Sequence, residues 1–357
     1  MKKIECDVNQ FPSLTWHHLH INHGKFEGSF SKKANLAFAP LDAALEYSLV
    51  RPVRKGFESI QTQLGKEFDA KFTNICDELS LERDFFIVQE NAHVQNSCTL
   101  NISPSDEGSL LDISICAKSG SESCFILDFS SAKNDSSLAV TLRLFLEPYS
   151  VLKICTINCL ENKTNFALGI ASSVAENAKL SLVQLDLGGK NVCSGSQNEL
   201  LGFNANFTGH YAYLAKGDSE FDINYISRHI GKQTKSSFFT GGVILDSAKK
   251  AWRGTIDFVN GSSSSVGDEQ ENVLVLSENC VNKSLPVILC GEENVEGRHG
   301  CSIGRLGSDV LFYMKNRGFS EEEAKRMVVR AKISAVCRFI PDSKLQEKIQ
   351  NVLEGAI

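Results

Sequence analysis

The sequence predicts a mainly β protein in which a solenoid lies between two helical regions. From about residue 84 to residue 295, short segments of alternating apolar and polar residues recur, separated by breakers rich in Ser, Asn, Gly and Asp. This stretch is long for a single sandwich. A chain wound coil upon coil, each coil burying its inner face against the next, fits the pattern. A large sandwich or two separate β domains is the alternative.

Length and composition agree with a folded globular chain. The 357 residues are enough for two or three packing units or for one long array. Hydrophobic residues make up 42% and charged residues 22% of the chain, which argues against wholesale disorder and against a fibrous protein.

Charge and hydropathy bear on partners and on location. The chain has 37 Lys and Arg against 43 Asp and Glu, a formal charge of −6, and lacks a basic block, so we expect neither nucleic acid nor a membrane as a partner. No signal-sequence core follows the first two lysines, and no apolar run reaches membrane-spanning length. We therefore expect a cytoplasmic protein whose 12 cysteines are thiols, most of them packed as small hydrophobes.

The N-terminal part predicts an extended segment followed by helices. The histidine-rich stretch 15–23 fits a surface edge better than a metal site. A helical pattern starts at Leu41 and is ended or kinked by Pro52. A second helix of about 25 residues is then predicted by apolar residues three or four positions apart. These residues are Phe57, Ile60, Leu64, Phe68, Phe72 and Ile75.

The central part contains the clearest strand signals. The segments are 85–88, 99–102, 111–115, 124–127, 140–146 and 179–185. Each alternates between apolar and polar positions and is bounded by turn residues. Cys155 and Cys159 repeat one face of such a segment, and we expect both to be core thiols.

The C-terminal part again predicts helices. One begins at Ser308 and stops at Gly318, and Ser320 with Glu323 forms a capping box for the next. The second helix is expected to bury Ala324, Met327, Val328, Ala331 and Ala335. A last helix after Pro341 is expected to bury Leu345, Ile349, Val352 and Leu353. The predicted divisions are therefore 1–83 (extended and helical), 84–304 (solenoid core) and 305–357 (helical).

Four blocks near the C-terminal end carry a family resemblance. They are 252–256 (WRGTI), 274–277 (LVLS), 294–304 (NVEGRHGCSIG) and 311–319 (LFYMKNRGF). In order and spacing they resemble the SufB/SufD family of iron–sulfur cluster assembly proteins. Weaker similarity at Tyr225 to His229, and at Thr15, Trp16, Leu19 and Asn22, resembles short SufD proteins.

The resemblance implies a fold and a role. The fold would be a right-handed parallel β-helix. The role would be that of a SufD-like scaffold without catalysis of its own, which pairs with a SufB-like subunit and docks a SufC-like ABC-type ATPase through its C-terminal helices. The chain lacks the G-x-x-x-x-G-K-[ST] phosphate loop, so ATP hydrolysis would belong to that partner. Iron or a cluster would be bound only transiently within the complex.

The resemblance also singles out His299, the family's motif histidine, which is associated with cluster assembly at the subunit interface. A neutral imidazole binds ferrous iron. SufD proteins often carry a cysteine two positions earlier, where this sequence has Gly297. Cys301 is a candidate replacement, because in an extended segment it projects from the same face as His299. A packed thiol is the alternative for Cys301.

Candidate partner-binding residues lie in the C-terminal helices. They are Phe312, Tyr313, Arg317, Gly318 and Met327. Aromatic residues, Met and Arg are typical of protein interfaces. A small helical core formed by Phe312, Tyr313 and Met327 is the alternative, and Arg317-Gly318 is a tight helix stop in either case.

Two other functions remain open at this point. The chain could be the SufB-like subunit that carries the nascent cluster. A β-helix enzyme acting on polysaccharides would need grouped carboxylates, whereas Asp246, Asp257 and Asp268 are scattered. The sequence also leaves open whether the isolated chain forms a homodimer.

Overall fold

The computed structural model describes residues 1–12, 17–50, 60–129 and 136–356. Within these residues the chain forms a β-solenoid of two facing sheets, in which each turn contributes one strand to each sheet. Neighbouring strands of successive turns pair in parallel and in register. The predicted mainly β solenoid with helices on both sides is therefore confirmed, and the alternative of a sandwich is wrong.

The first sheet, sheet I, is continued from turn to turn by the even-numbered strands from β6 to β20, and β3 and β5 are added near its beginning. Its strands are β3 (Lys32–Lys33), β5 (Leu45–Val50), β6 (Arg83–Val88), β8 (Ser109–Ala117), β10 (Ser137–Leu146), β12 (Asn165–Val174), β14 (Asn191–Leu200), β16 (Glu220–His229), β18 (Lys249–Phe258) and β20 (Val281–Cys290). In the described chain β5 lies at one edge, antiparallel to β6, and β20 lies at the other.

The second sheet, sheet II, faces the first across the core. Its strands are β4 (Asn35–Phe38), β7 (Cys98–Ser103), β9 (Glu122–Phe129), β11 (Val151–Asn158), β13 (Lys179–Asp186), β15 (Asn206–Ala215), β17 (Lys235–Ile244), β19 (Ser265–Val275) and β21 (Val295–Arg305). Its edges are β4, antiparallel to β7, and β21. All six predicted strand segments fall within observed strands.

A repeating corner sets the length of each turn. Non-glycine residues with a positive φ recur 27 to 31 residues apart, at Tyr149, Asn177, Asn204, Gln233 and Ser264. Backbone hydrogen bonds join one corner to the next, for example from Asn177 N–H to the Phe203 carbonyl at 2.9 Å. Asn tolerates the left-handed conformation better than most residues do, which explains the enrichment of Asn at these corners.

The inside of the solenoid changes character along its length. Early turns are filled by aliphatic and aromatic side chains such as Phe125, Leu142 and Leu168. Later turns bury polar groups among aromatic rings, including Asp186, whose carboxylate accepts hydrogen bonds from Ser194 and Gln184. Buried polar groups need such partners because they have lost water.

The N-terminal elements cover the outer face of sheet I. Strands β1 (Lys2–Val8) and β2 (Gly24–Phe30) form an antiparallel hairpin, and helix α1 (Lys66–Glu78) packs against it. The predicted length of about 25 residues is wrong, because α1 has 13. Gly65, at φ 102°, precedes its first turn, and a residue in this conformation cannot continue a helix. Phe57 lies outside the described residues.

Two other N-terminal predictions have different outcomes. The helix expected from Leu41 is wrong: residues Leu45–Val50 form strand β5, whose pairing with β6 overrides the local pattern. Pro52, Thr15 and Trp16 lie outside the described residues. In the histidine-rich segment, a 3-10 turn spans His17–Leu19, and His18 and His20 are exposed.

Three C-terminal helices follow the solenoid, of which the second and third pack on the outer face of sheet II. They are α2 (Ser308–Asn316), α3 (Glu321–Cys337) and α4 (Ser343–Ala356), and the capping box of Ser320 and Glu323 is present. The predicted buried face of α3 is partly wrong. Ala324 is buried, but the rest of the buried set is Val329, Ile333, Val336 and Cys337, while Met327, Ala331 and Ala335 are exposed. Both faces are apolar, and contact with the sheet selects one. No helix in the described ranges is long and apolar enough to span a membrane.

His229 predicts a pH dependence of stability. Its ring, on β16, hydrogen-bonds Thr234 and Ser236, and burial lowers its pKa from 6.5 to about 4. Between these values the unfolded chain binds more protons than the folded chain, so acidification through this window destabilises the fold, by at most about 1.4 kcal/mol per pH unit. We expect His229→Gln to flatten this slope in urea denaturation between pH 4 and 7. The exposed control His93→Gln should retain the wild-type slope, and an equal slope in His229→Gln would contradict the prediction.

Candidate functional site

The last described turn of the solenoid leaves one end of the core open. Strands β20 and β21 each have one neighbour in their sheet and no pairing strand on the other side within the described chain. Most side chains of β20 are half-buried, and most of those of β21 are exposed. Unpaired backbone groups and uncovered apolar side chains together make this end suited to contact another chain.

His299 and Cys301 lie on β21, and the structure brings them to one face of this end. They stand opposite Glu269 and Glu271 of β19 in the parallel ladder. Since Glu269 and Glu271 point into the core, His299 and Cys301 continue the same inner face by one turn. The imidazole is 46% exposed, and the Cys301 side chain is also exposed.

A buried polar network lies directly beneath Cys301. The Lys250 ammonium is 2.6 Å from Glu271 Oε1, which also accepts a hydrogen bond from Tyr213 Oη at 3.0 Å. Lys250 donates a second hydrogen bond to Ser284 Oγ at 2.9 Å. Both charged side chains are fully buried, so each one compensates the other's loss of hydration.

The thiol of Cys301 is part of this network. Its Sγ lies 3.7 Å from Glu271 Oε2 and is a donor to that carboxylate. Burial, reinforced by the negative charge of Glu271, raises the pKa of the thiol. Cys301 is therefore protonated at neutral pH in the free chain, and it must lose its proton before it can act as a thiolate ligand.

Glu269 is a second buried carboxyl group, beneath His299. Its Oε1 accepts a hydrogen bond from the Val287 N–H at 3.0 Å and lies 4.0 Å from His299 Nδ1, while Oε2 has no hydrogen-bond partner. Burial raises the pKa of this carboxyl group to about 8. Once this carboxyl group has lost its proton, a carboxylate and an imidazole on one face are ligand types that suit ferrous iron.

Gly297 is closely packed. A Cβ at this position would lie 3.0 Å from Ile288 Cδ1 and 3.1 Å from a ring carbon of Phe258. A cysteine here would have to displace these neighbours. The thiol of this chain, Cys301, therefore lies two positions after His299, whereas the cysteine expected from the family resemblance would lie two positions before it.

The other candidate residues are distributed as follows. Within the described ranges, no group of three or more His, Cys, Asp or Glu side chains is arranged to hold a metal ion. Asp257 pairs with Arg228 on the outer face of sheet I, Asp268 stands on the outer face of sheet II, and Asp246 is in a corner. The scattered carboxylates thus offer no paired acid and base for glycoside hydrolysis.

Helices α2 and α3 carry exposed aromatic and methionine side chains, called here the aromatic patch. Phe312 is 69%, Tyr313 59% and Met327 46% exposed, and the Arg317 guanidinium lies 5.2 Å from the centre of the Tyr313 ring. Gly318, at φ 94°, follows the end of α2. The alternative of a small core formed by Phe312, Tyr313 and Met327 therefore disagrees with the exposure of these side chains.

Comparison with known protein families identifies the family of this chain. Residues 100–332, more than half of the chain, match the family described as SUF system FeS cluster assembly, SufBD core domain. The chain belongs to the SufBD family. The matched residues include nearly the whole solenoid and extend into α3.

Individual relatives of this SufBD protein match over parts of their length. The iron–sulfur cluster assembly protein SufD of Bacillus subtilis is 29% identical over 129 residues, which cover 36% of this chain and 30% of that protein. A SufBD family protein of Mycobacterium bovis is 20% identical over 63% of this chain and 27% of its own length. One from Staphylococcus saprophyticus is 24% identical over 52% and 40%. The chain thus spans less than half of each of these relatives.

Glu269, Glu271, Lys250 and Tyr213 were not anticipated from the sequence of this SufBD protein. They come from three strands and meet only because the turns stack. One signal was present, since Glu269 and Glu271 precede His299 and Cys301 by 30 residues, within the range of the spacings between corners. The sequence does not reveal the length of a turn, so this spacing of 30 residues could not be recognised as strand pairing.

Gly254 is needed for the packing around Glu269. A Cβ there would lie 2.4 Å from Trp252 Cη2 and 2.7 Å from Glu269 Oε2. We expect Gly254→Ala to lower the free energy of unfolding by about 1–3 kcal/mol, measured by urea denaturation, because the ring and the carboxyl group must both move. Gly304→Ala, with no atom within 4 Å of the new methyl group, should change it by less than about 1 kcal/mol. Equal effects would refute the packing argument.

Proposed function

We propose that this SufBD protein is a SufD-like scaffold subunit that works with a SufB-like subunit and a SufC-like ABC-type ATPase in cluster assembly. The observation that carries the proposal is the open end of the solenoid, where His299 stands beside two unpaired strand edges. Iron or a cluster is cargo held there transiently, and the chain has no catalytic role of its own.

The open end favours a SufB-like partner of similar architecture. Strand edges recognise other strands, and Val281 and Ile303 add exposed apolar side chains on β20 and β21. A second solenoid abutting this end would shield both edges and enclose His299. In the described part of the chain, His299 and Cys301 are not joined by a third His, Cys, Asp or Glu in a metal-binding arrangement, which supports a site completed by residues of the partner.

Two observations favour a SufD-like over a SufB-like role. The relative from Bacillus subtilis at 29% identity is a SufD protein. Cys301 is held protonated by Glu271, and no second thiol is grouped with it and His299 in the described part of the chain, so a cluster cradle built by this chain alone is not favoured. The SufB-like subunit would then contribute most of the cluster ligands.

The aromatic patch on the C-terminal helices favours docking of the ATPase. Phe312, Tyr313 and Met327 form an exposed group flanked by Arg317, a composition typical of the centre of an interface. These side chains lie on α2 and α3, and the opposite side of α3 packs on sheet II. Movement of the ATPase would therefore be transmitted to the solenoid through α3.

Cargo binding can be tested in the assembled complex. We expect His299→Ala, co-expressed with the SufB-like and SufC-like partners, to reduce retained iron several-fold while the complex stays intact by size-exclusion chromatography, because one imidazole ligand is lost. Cys301→Ser tests the thiol in the same way, and we expect a smaller loss. His93→Ala serves as the exposed control. Iron retention equal to wild type in both site variants would remove these residues from the cargo site.

Docking of the ATPase can be tested separately. We expect Phe312→Ser and Arg317→Glu each to weaken binding of the SufC-like ATPase at least about tenfold by calorimetry, since exposed aromatic and Arg side chains dominate interface energies. Thermal stability should change little because neither side chain is buried. Lys344→Glu on α4 is the matched control for charge reversal. Wild-type affinity in both variants, with the fold intact, would exclude this patch as the docking surface.

A further inference from the structure

Glu269 lies next to His299 on the neighbouring strand. The two residues are direct partners in the parallel ladder of β19 and β21, so their side chains leave the sheet side by side on its inner face. Glu269 belongs to the preceding turn and is fully buried, whereas His299 belongs to the last described turn and is half-exposed. The carboxyl group therefore forms part of the floor beneath the imidazole.

The Glu269 carboxyl group is fixed in place by three contacts. The Val287 N–H donates to Oε1 at 3.0 Å, which anchors the carboxyl group to the neighbouring sheet. Gly254 and the Trp252 ring form the wall behind Oε2, where no space remains for even a methyl group on residue 254. A buried side chain confined in this way presents its oxygens in one orientation.

The atom of His299 that faces this carboxyl group is Nδ1. Its distance of 4.0 Å from Glu269 Oε1 is longer than a hydrogen bond, so the imidazole must turn toward the carboxyl group before the two can bond. Oε1 already accepts a hydrogen bond and is an acceptor towards His299 as well. An acceptor facing Nδ1 favours the proton on Nδ1, which leaves the lone pair on Nε2.

We propose that Glu269 is a positioning residue that holds His299 as the Nδ1–H tautomer and directs the Nε2 lone pair out of the solenoid end, toward the cargo and the partner subunit. The assignment of the tautomer needs only the free chain. Its consequence for metal binding rests on the proposed function. Metal-binding histidines commonly donate their second ring N–H to a carboxylate, which fixes the ring and raises the basicity of the ligand nitrogen.

The neighbouring pair shows why the two carboxyl groups differ. Glu271 is neutralised by Lys250 and accepts from the Cys301 thiol, so it draws the proton of that ligand candidate inward. Among the described residues, no Lys or Arg lies within salt-bridge distance of Glu269, and the basic side chain at that range is the His299 imidazole. Glu269 is thus available to orient the imidazole, while Glu271 is committed to its own network.

The direct test reads the imidazole itself. Histidine-selective ¹⁵N labelling and long-range ¹H–¹⁵N correlation spectra of the free chain at pH 8.5 report which ring nitrogen carries the proton, and His299→Ala identifies the signal. We expect wild-type His299 to be mainly the Nδ1–H tautomer. In Glu269→Ala it should revert to the Nε2–H form that free histidine prefers. The adjacent outward-facing carboxylate provides the control Asp268→Asn, which should match wild type.

Two results would overturn the proposal: a wild-type Nε2–H tautomer, or an Nδ1–H tautomer that persists in Glu269→Ala. Glu269→Gln covers the case in which Glu269→Ala does not fold. It keeps an acceptor oxygen of the same shape and should retain Nδ1–H, with circular dichroism confirming the fold.

Ferrous iron binding to the co-expressed complex then tests the consequence. We expect Glu269→Ala to weaken it about 10- to 100-fold. Unchanged iron affinity beside a changed tautomer would refute the positioning role and leave the proposed function intact. Absence of iron from the wild-type complex would contradict the proposed function without affecting the tautomer assignment.

Discussion

Each turn of this solenoid is stable because the next turn covers it. The inner faces of the two sheets are buried by one another, and the edge of each strand is satisfied by the strand one turn further along. The corners repeat this logic in the backbone, since each left-handed residue donates its N–H to the following corner. Because every turn exposes the same strand edges to the next, the repeat does not end by itself. The edges of the first and last turns must be covered by an element other than another turn.

The two ends are treated differently. At the beginning, β4 and β5 turn back antiparallel on β7 and β6 and end the sheets within the described chain. At the other end β20 and β21 keep free edges, and the C-terminal helices pack on the side of the solenoid rather than across its mouth. His299 and Cys301 stand where this closure is missing. In the proposed function, this uncovered end is the surface that a partner subunit would cover.

The polar interior of the later turns belongs to the same design. The interior of the early turns is filled by apolar side chains, whereas Lys250, Glu271 and Tyr213 form a buried polar network just below the open end. Burial of a charged pair stabilises little by itself because desolvation offsets attraction. What the network provides is a fixed direction for Cys301, and Glu269 with its anchoring N–H does the same for His299. Under the proposed function, such fixed supports would hold the two candidate ligands in place before a partner binds.

The sequence by itself determined the solenoid class, all six predicted strands and the capping box of α3, because alternation and capping are local signals that tertiary contacts here reinforce. The four blocks at 252–256, 274–277, 294–304 and 311–319 also gave the family resemblance. The tertiary structure alone decided that Leu45–Val50 is a strand, that α1 is short, which face of α3 is buried, and that Glu269 lies beneath His299. Each of these depends on which turn stacks on which. Pairing between strands 30 or more residues apart depends on the packing of whole turns against one another. Such contacts cannot be read from any single stretch of the sequence.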